Sequence, residues 1–185
     1  PGNDSFFLWG PRQSGKTTVL RHLFGNSHQY LSLELPDVRA AALSDPRGFL
    51  EVYPPPVIFD EVQYVPEILP YVKERIDARR SQRGQYILTG SQNLLLVERV
   101  TETLAGRAAM LRLLPLAFRE QSQQPTAPLP WETDSARSKR PPILLAELWA
   151  NLLRGNYPEL VAETGRDAGL WHASYIQTYL ERDVR

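Results

Sequence analysis

Cysteine is absent from this chain, and its absence removes a disulfide framework, a thiolate metal site and a cysteine nucleophile together. That suits a reducing compartment, so a cytoplasmic location is expected. Histidine is scarce. His22 and His28 lack metal-ligand spacing with any acid, which argues against a zinc site, and His172 is expected to be structural or exposed. Excess charge is missing too: 21 basic residues balance 21 acidic ones, giving no overall drive toward nucleic acid or an anionic membrane. No apolar run approaches the roughly 18 residues of a membrane span, no signal peptide is visible, and no internal repeat is found. What is present is enough for a real core, with 42% hydrophobic residues in 185. Residue 1 is proline and the last residues read as a helix, so both ends are expected to be cuts in a longer protein.

The most informative stretch is Gly10-Pro11-Arg12-Gln13-Ser14-Gly15-Lys16-Thr17, which fits the phosphate-loop pattern GxxxxGK[ST] at every fixed position. By chance such a match should arise in roughly 1% of chains this long. Phe6 to Trp9 before it reads as a buried strand, and Thr17 to Phe24 after it has helical apolar spacing. A glycine-rich turn between strand and helix points successive backbone N–H groups at the positive end of the helix dipole, where a polyphosphate can sit. Lys16 adds a full positive charge toward the phosphates, and the Thr17 hydroxyl can hold Mg²⁺.

A strand is expected over Tyr30 to Glu34, then one or two short helices over Asp37 to Leu50, broken at Asp45-Pro46. Val57-Ile58-Phe59 next runs into two adjacent carboxylates, Asp60 and Glu61. In an open parallel sheet, ligands bind beyond the carboxyl ends of the strands, where this pair and the phosphate loop both fall. Asp60 is placed to hold the Mg²⁺ hydration shell opposite Thr17, and Glu61 to polarise an attacking water. The plain alternative is two acids ending a strand in solvent.

Pro66 begins a predicted helix running toward Gly84, with Ile68, Leu69, Val72 and Ile76 on its apolar face. Its other face carries Lys73, Arg75, Arg79, Arg80 and Arg83 against Glu74 and Asp77. Cations completing the helix dipole explain this better than a nucleic-acid surface. The next strand, Gln85 to Thr89, leads into Gly90-Ser91-Gln92-Asn93. Ser91 first and Gln92 second are candidates to sense the γ-phosphate or the attacking water, while Asn93 reads as a helix cap. Leu94 to Leu104 is predicted helical, and Ala108 to Leu114 is a further buried strand. Arg107 between them stabilises transition-state charge in its own or a neighbouring subunit, or else pairs with a surface acid at a strand entry.

Five prolines between Gln121 and Pro142 mark a linker or exposed loop. Beyond it, Ile143 to Leu153, a short piece from Tyr157 and a stretch from Trp171 to Leu180 make a helical subdomain. The expected organisation is a core over residues 1–120, a proline-rich linker or loop over 121–142 and a helical part over 143–185 that is expected to be truncated.

Taken together, GPRQSGKTT, VIFDEVQ, ILTGSQN, AGRAAMLRLLPLAFRE, GNYPEL and SYIQTYLERDVR resemble the prokaryotic ATPase family that pairs an AAA+ type core (the AAA domain 14 group) with an uncharacterised C-terminal domain. The resemblance implies an α/β P-loop NTPase fold with five parallel strands in the order 5-1-4-3-2 and a small C-terminal helical subdomain. It implies ATP and Mg as cofactors, and Gly10 to Thr18, including Thr18, as the Walker A loop. Asp60 and Glu61 would be the Walker B pair, the Thr89 to Gln92 strand end sensor 1, and Arg107 the Gly-Arg position of these relatives. Such relatives often act as rings, which leaves a homo-oligomer open, and any nucleic acid or protein partner would be reached through the C-terminal domain. Three functions remain in competition: an ATPase, a nucleotide-dependent switch with little turnover, and a P-loop kinase of a small molecule.

Overall fold

A computed structural model describes residues 5–79, 81–91, 94–126 and 143–180. The chain divides into two compact units, Pro1–Leu114 and Pro115–Arg185. The first is a five-stranded sheet of β1 (Ser5–Gly10), β2 (Gln29–Ser32), β3 (Val57–Asp60), β4 (Tyr86–Ser91) and β5 (Ala108–Arg112). All its pairings are parallel, in the order β2-β3-β4-β1-β5, which is the expected 5-1-4-3-2 read from the other edge. Between the strands run α1 (Lys16–Phe24), α2 (Pro36–Ser44), α3 (Pro46–Val52), α4 (Leu69–Ala78) and α5 (Leu94–Thr103).

Strand periodicity divides the core between the two faces. Phe7, Val57, Phe59, Tyr86 and Leu88 pack with Leu50, Val72, Ile76 and Val100, on the face covered by α2 to α5. Leu8, Ile58 and Ile87 point the other way and bury Leu20 of α1, with Phe6, Phe24 and Tyr30 at their margin. Strands buried on both faces read as continuous apolar runs, which is why β1, β3 and β4 are legible in sequence. Since Ile58 faces α1, so does Asp60 two residues on, and so do Thr89 and Ser91 after Ile87. That alternation aims one row of polar side chains at the helix that follows the phosphate loop.

Several expected boundaries move. The helix expected from Pro66 begins as a 3₁₀ turn, Pro66–Ile68, and becomes α-helical only at Leu69. Pro66 and Pro70 both lack the N–H a regular first turn would use. It ends at Ala78, short of Gly84, where the Gln85 side chain donates to the carbonyls of Arg79 and Gln82. β2 stops at Ser32, because a turn closed by Leu35 N–H on the Ser32 carbonyl bends the chain away. β4 includes Gly90 and Ser91, expected to lie beyond it. β5 is shorter than expected and not buried: it is an edge strand with one neighbour, and Met110, Leu111 and Arg112 are exposed.

In the second unit, α6 (Phe118–Gln121) was not anticipated from sequence, and α7 (Leu145–Arg154), α8 (Pro158–Ala162) and α9 (Ala168–Tyr175) follow. The last turn, Ile176–Leu180, widens to a π-helix. Trp171 stacks on Tyr175 and meets Tyr157 at a tilt, its indole N–H donates to Glu159, and Arg154 donates to the carbonyls of Leu160 and Glu163. The stretch 127–142 lies outside the described residues. Among the described residues no helix is long and apolar enough to cross a membrane.

Candidate functional site

At the carboxyl end of β1 the chain turns through residues 10–15 into α1. Two left-handed residues shape the turn, Gln13 (φ 59°) and Gly15 (φ 93°), and a backbone alternating in this way turns its N–H groups inward. Gly10 is required for another reason: a Cβ there would lie 2.0 Å from the Leu113 carbonyl oxygen, where the chain beyond β5 passes. The first N–H groups of α1 have no acceptor within the helix. Ser14 is buried in the loop, and its hydroxyl has no hydrogen-bond partner. An orphaned hydroxyl beside a row of helix N-terminal donors fits a bound phosphate.

Lys16 is only 5% exposed, and its ammonium donates to the carbonyls of Gly10 (3.2 Å) and Pro11 (2.9 Å). Desolvation pushes its pKa below the usual lysine value, with Arg12 adding to the effect, while Glu61 and then Asp60 oppose it. The cation is therefore held in place at a cost that an incoming polyanion would relieve.

Asp60 is the meeting point of three hydroxyls. Thr17 Oγ1 donates to Oδ2 at 2.8 Å, the Tyr30 phenol donates to the same oxygen, and Thr89 Oγ1 donates to Oδ1. The donors come from α1, β2 and β4, so the 3%-exposed carboxylate is fixed from three sides. Burial, and next the hydrogen bond to Asp60, push the Tyr30 phenol up to about 12; the Arg21 guanidinium, 4.1 Å from the ring centroid, acts against the shift. Glu61 follows in the left-handed conformation (φ 60°), uncommon for a residue with a Cβ and a feature of functional sites. Its carboxylate accepts from the Gln63 amide, and its N–H lies 3.3 Å from Thr89 Oγ1.

The geometry thus gathers Lys16, Thr17, Asp60, Glu61 and the loop residues at one end of the sheet. Ser91 is there also, buried, with its backbone N–H directed at Gln63 Oε1 at 3.4 Å. Gln92 and Asn93 lie outside the described residues. Arg107 is not brought to the site. It precedes β5 at the opposite end of the sheet, where Ala108 pairs with Ser5, the first residue of β1. Six strand steps of about 3.3 Å put its backbone roughly 20 Å from its own loop. Its Nε donates to both Asp77 oxygens at 3.0 Å, and an Nη donates to the Ala105 carbonyl. An action of Arg107 on its own subunit's phosphates does not fit this placement, whereas the pairing with an acid does. The basic face of α4 is likewise laced with ion pairs: Arg75 with Glu51, and Arg47 with Glu74.

Tyr30 and Gln63 escaped the sequence reading. Tyr30 gave only the signal of an aromatic in an edge strand, and Gln63 is a polar residue two places after the acids. Both become visible through the alternation of side chains, once β2, β3 and β4 are neighbours.

Among the described residues no group of three or more acidic, histidine or cysteine side chains collects. Thr17 and Asp60 could contribute to a site for a hard cation that takes its other oxygens from phosphate and water, the habit of Mg²⁺.

Residues 3–122 match the AAA domain family. Two uncharacterized proteins, from Mycobacterium bovis and Mycobacterium tuberculosis, are each 31% identical over 179 residues, which is 96% of this chain and 35% of theirs. The chain thus spans about a third of the length of the curated relatives it matches. A sugar kinase structure from Janibacter sp. HTCC2649 overlaps 82% of this chain and 76% of its own, at 16% identity and a TM-score of 0.32. With the loop, the buried lysine and the paired acids at one end of a 2-3-4-1-5 parallel sheet, this chain is a nucleotide-binding P-loop protein and belongs to the AAA domain family.

Proposed function

We propose that the protein hydrolyses ATP with Mg²⁺ and converts the change in bound nucleotide into a conformational change. One observation carries the reading: the 2.8 Å hydrogen bond between Thr17 and Asp60 joins the phosphate loop to the strand whose next residue is a second acid, Glu61.

The loop N–H groups, Ser14 and Lys16 bind the triphosphate, and Lys16 exchanges the carbonyls of Gly10 and Pro11 for phosphate oxygens. Thr17 and Asp60 would hold Mg²⁺, which when bound would supply neutralisation of the phosphate charge. Glu61 orients a water and accepts its proton as the water oxygen bonds to the γ-phosphorus. The bond from that phosphorus to the bridging oxygen breaks, and the electron pair leaves on ADP. Thr89 and Tyr30 keep Asp60 in one orientation meanwhile.

A switch with little turnover is favoured by the position of Arg107, which leaves the subunit without that cation at its own phosphates. The two readings separate in one assay. For an ATPase, the 185-residue chain releases ADP and free phosphate, and Glu61→Gln stops turnover while nucleotide binding survives. Turnover in that variant close to the parent rate would remove Glu61 from the chemistry. Tight binding without turnover by the parent would favour the switch, and a phosphorylated acceptor in place of free phosphate would indicate a kinase.

A further inference from the structure

Gln63 lies in the 3₁₀ turn Val62–Tyr64, immediately after the acid pair. Its amide makes two contacts of opposite sense: Nε2 donates to the Glu61 carboxylate, and Oε1 faces the backbone N–H of Ser91 at the end of β4. Only one orientation of the amide satisfies both. Turned over, it would set an oxygen against a carboxylate and an NH₂ against an N–H.

The surroundings make room for the side chain without wedging it. A Cβ on Gly90 would lie 3.1 Å from Gln63 Oε1 and 2.5 Å from Leu96 Cδ2, so glycine at that position clears the amide's path. Gln63 also lines a cleft of about 130 Å³ with Pro66, Leu95, Leu96 and Arg99. The amide thus borders open space on one side, and its two polar contacts set where it points.

We infer that Gln63 is the positioning residue for Glu61: it ties one carboxylate oxygen to the end of β4 and leaves the other directed at the water. This rests on the hydrolytic reading above. The glutamate side chain has three rotatable bonds and starts from a left-handed backbone, so one hydrogen bond from a partner tethered to β4 removes much of its freedom. Ser91 then contributes through its backbone N–H, so a shift of β4 reaches the Glu61 carboxylate through the Gln63 amide, beside the contact the Glu61 backbone N–H makes with Thr89.

The test compares Gln63→Met, close in volume and without donor or acceptor, with Gln63→Glu, equal in length but unable to donate when ionised. Steady-state hydrolysis of ATP and equilibrium binding of a fluorescent ATP analogue are measured on the full chain. For both variants kcat should fall about tenfold or more, a scale set by misplacing a catalytic group. KM, analogue affinity and the melting temperature should stay near the parent values. In a Glu61→Gln background, Gln63→Met should remove nothing further, because it acts through the residue already lost. An unchanged or raised kcat in Gln63→Met, or a fall accompanied by lost affinity or by added loss in the double variant, overturns the inference. Hydrolysis surviving in Glu61→Gln alone overturns the reading beneath it, whatever Gln63 does.

Discussion

The two ends of the one sheet both hold polar residues but use them differently. At the amino end, Arg107 grips Asp77, Ser5 Oγ accepts from the Tyr86 N–H, and Gln85 donates to the carbonyls of Arg79 and Gln82. Each of these donors finds its own acceptor, and each contact closes a turn or a strand entry. At the carboxyl end three hydroxyls converge on one carboxylate, a lysine is desolvated, and a serine hydroxyl stands without a partner. The Tyr86 hydroxyl and Gln85 Oε1 are also buried and orphaned, at the amino end, so burial of a polar atom does not by itself mark a site. Convergence of donors from separate elements on one acidic group, beside a set of open helix N–H groups, does.

The largest effect should come from Lys16→Ala. Loss of the buried cation should weaken nucleotide binding at least about a hundredfold, on the scale of a charged group removed from a desolvated phosphate contact. Because burial disfavours the charged form, the same change should leave the melting temperature of the nucleotide-free protein unchanged or raised. Titration calorimetry and thermal melting check both halves. A variant that melts much earlier would mean that Lys16 serves the fold, as Arg107 does at the other end.

Asp60→Asn should come next. The amide keeps the size of the side chain but gives up its charge and one acceptor, so the Mg²⁺-dependent share of nucleotide affinity should disappear while the Mg²⁺-free share stays. Equal loss in EDTA and in Mg²⁺ would show that Asp60 only braces the strand ends. Tyr30→Phe tests the same hub more gently. It deletes one of two donors to Oδ2, so the Mg²⁺ midpoint for nucleotide binding should shift a few-fold, with a stability loss of about 1 kcal/mol, typical of one hydrogen bond. An unmoved Mg²⁺ midpoint would reduce Tyr30 to packing.

Legibility in the sequence followed the same division. β1, β3 and β4 announced themselves because both faces of each are buried, and the phosphate loop because its geometry demands particular residues at fixed offsets. Lys16, Thr17, Asp60 and Glu61 are therefore legible in the sequence, and they do come together. β5 reads as buried because Ala108 to Leu114 is apolar enough to look so, and only the strand order shows that it has a single neighbour among the described strands. Gln63 and Tyr30 were missed because their roles depend on which strands are adjacent. No local pattern distinguishes a glutamine reaching back to an acid from one facing solvent. Arg107 shows the reverse: a Gly-Arg pair after a helix is suggestive in one dimension, and the register with Ser5 carries it to the far end of the sheet.

Arg107→Ala should have the smallest effect on the phosphate site. The Arg107 and Asp77 side chains are 28% and 30% exposed, so their ion pair is only partly shielded from water. Losing it should lower stability by about 1 kcal/mol, the upper end for pairs that water still reaches. Nucleotide affinity should be unchanged, because the arginine is six strand positions from the loop. Should hydrolysis nonetheless collapse while binding and folding persist, one further measurement decides why. If parental activity per chain rises with protein concentration, and Arg107→Ala chains poison it when mixed in, then the arginine serves the phosphates of a neighbouring copy. The amino end of one sheet would in that case complete the carboxyl end of another. If activity per chain is flat with concentration, the pair with Asp77 is a fastening for the α4 and β5 ends, and the two ends of the sheet work independently.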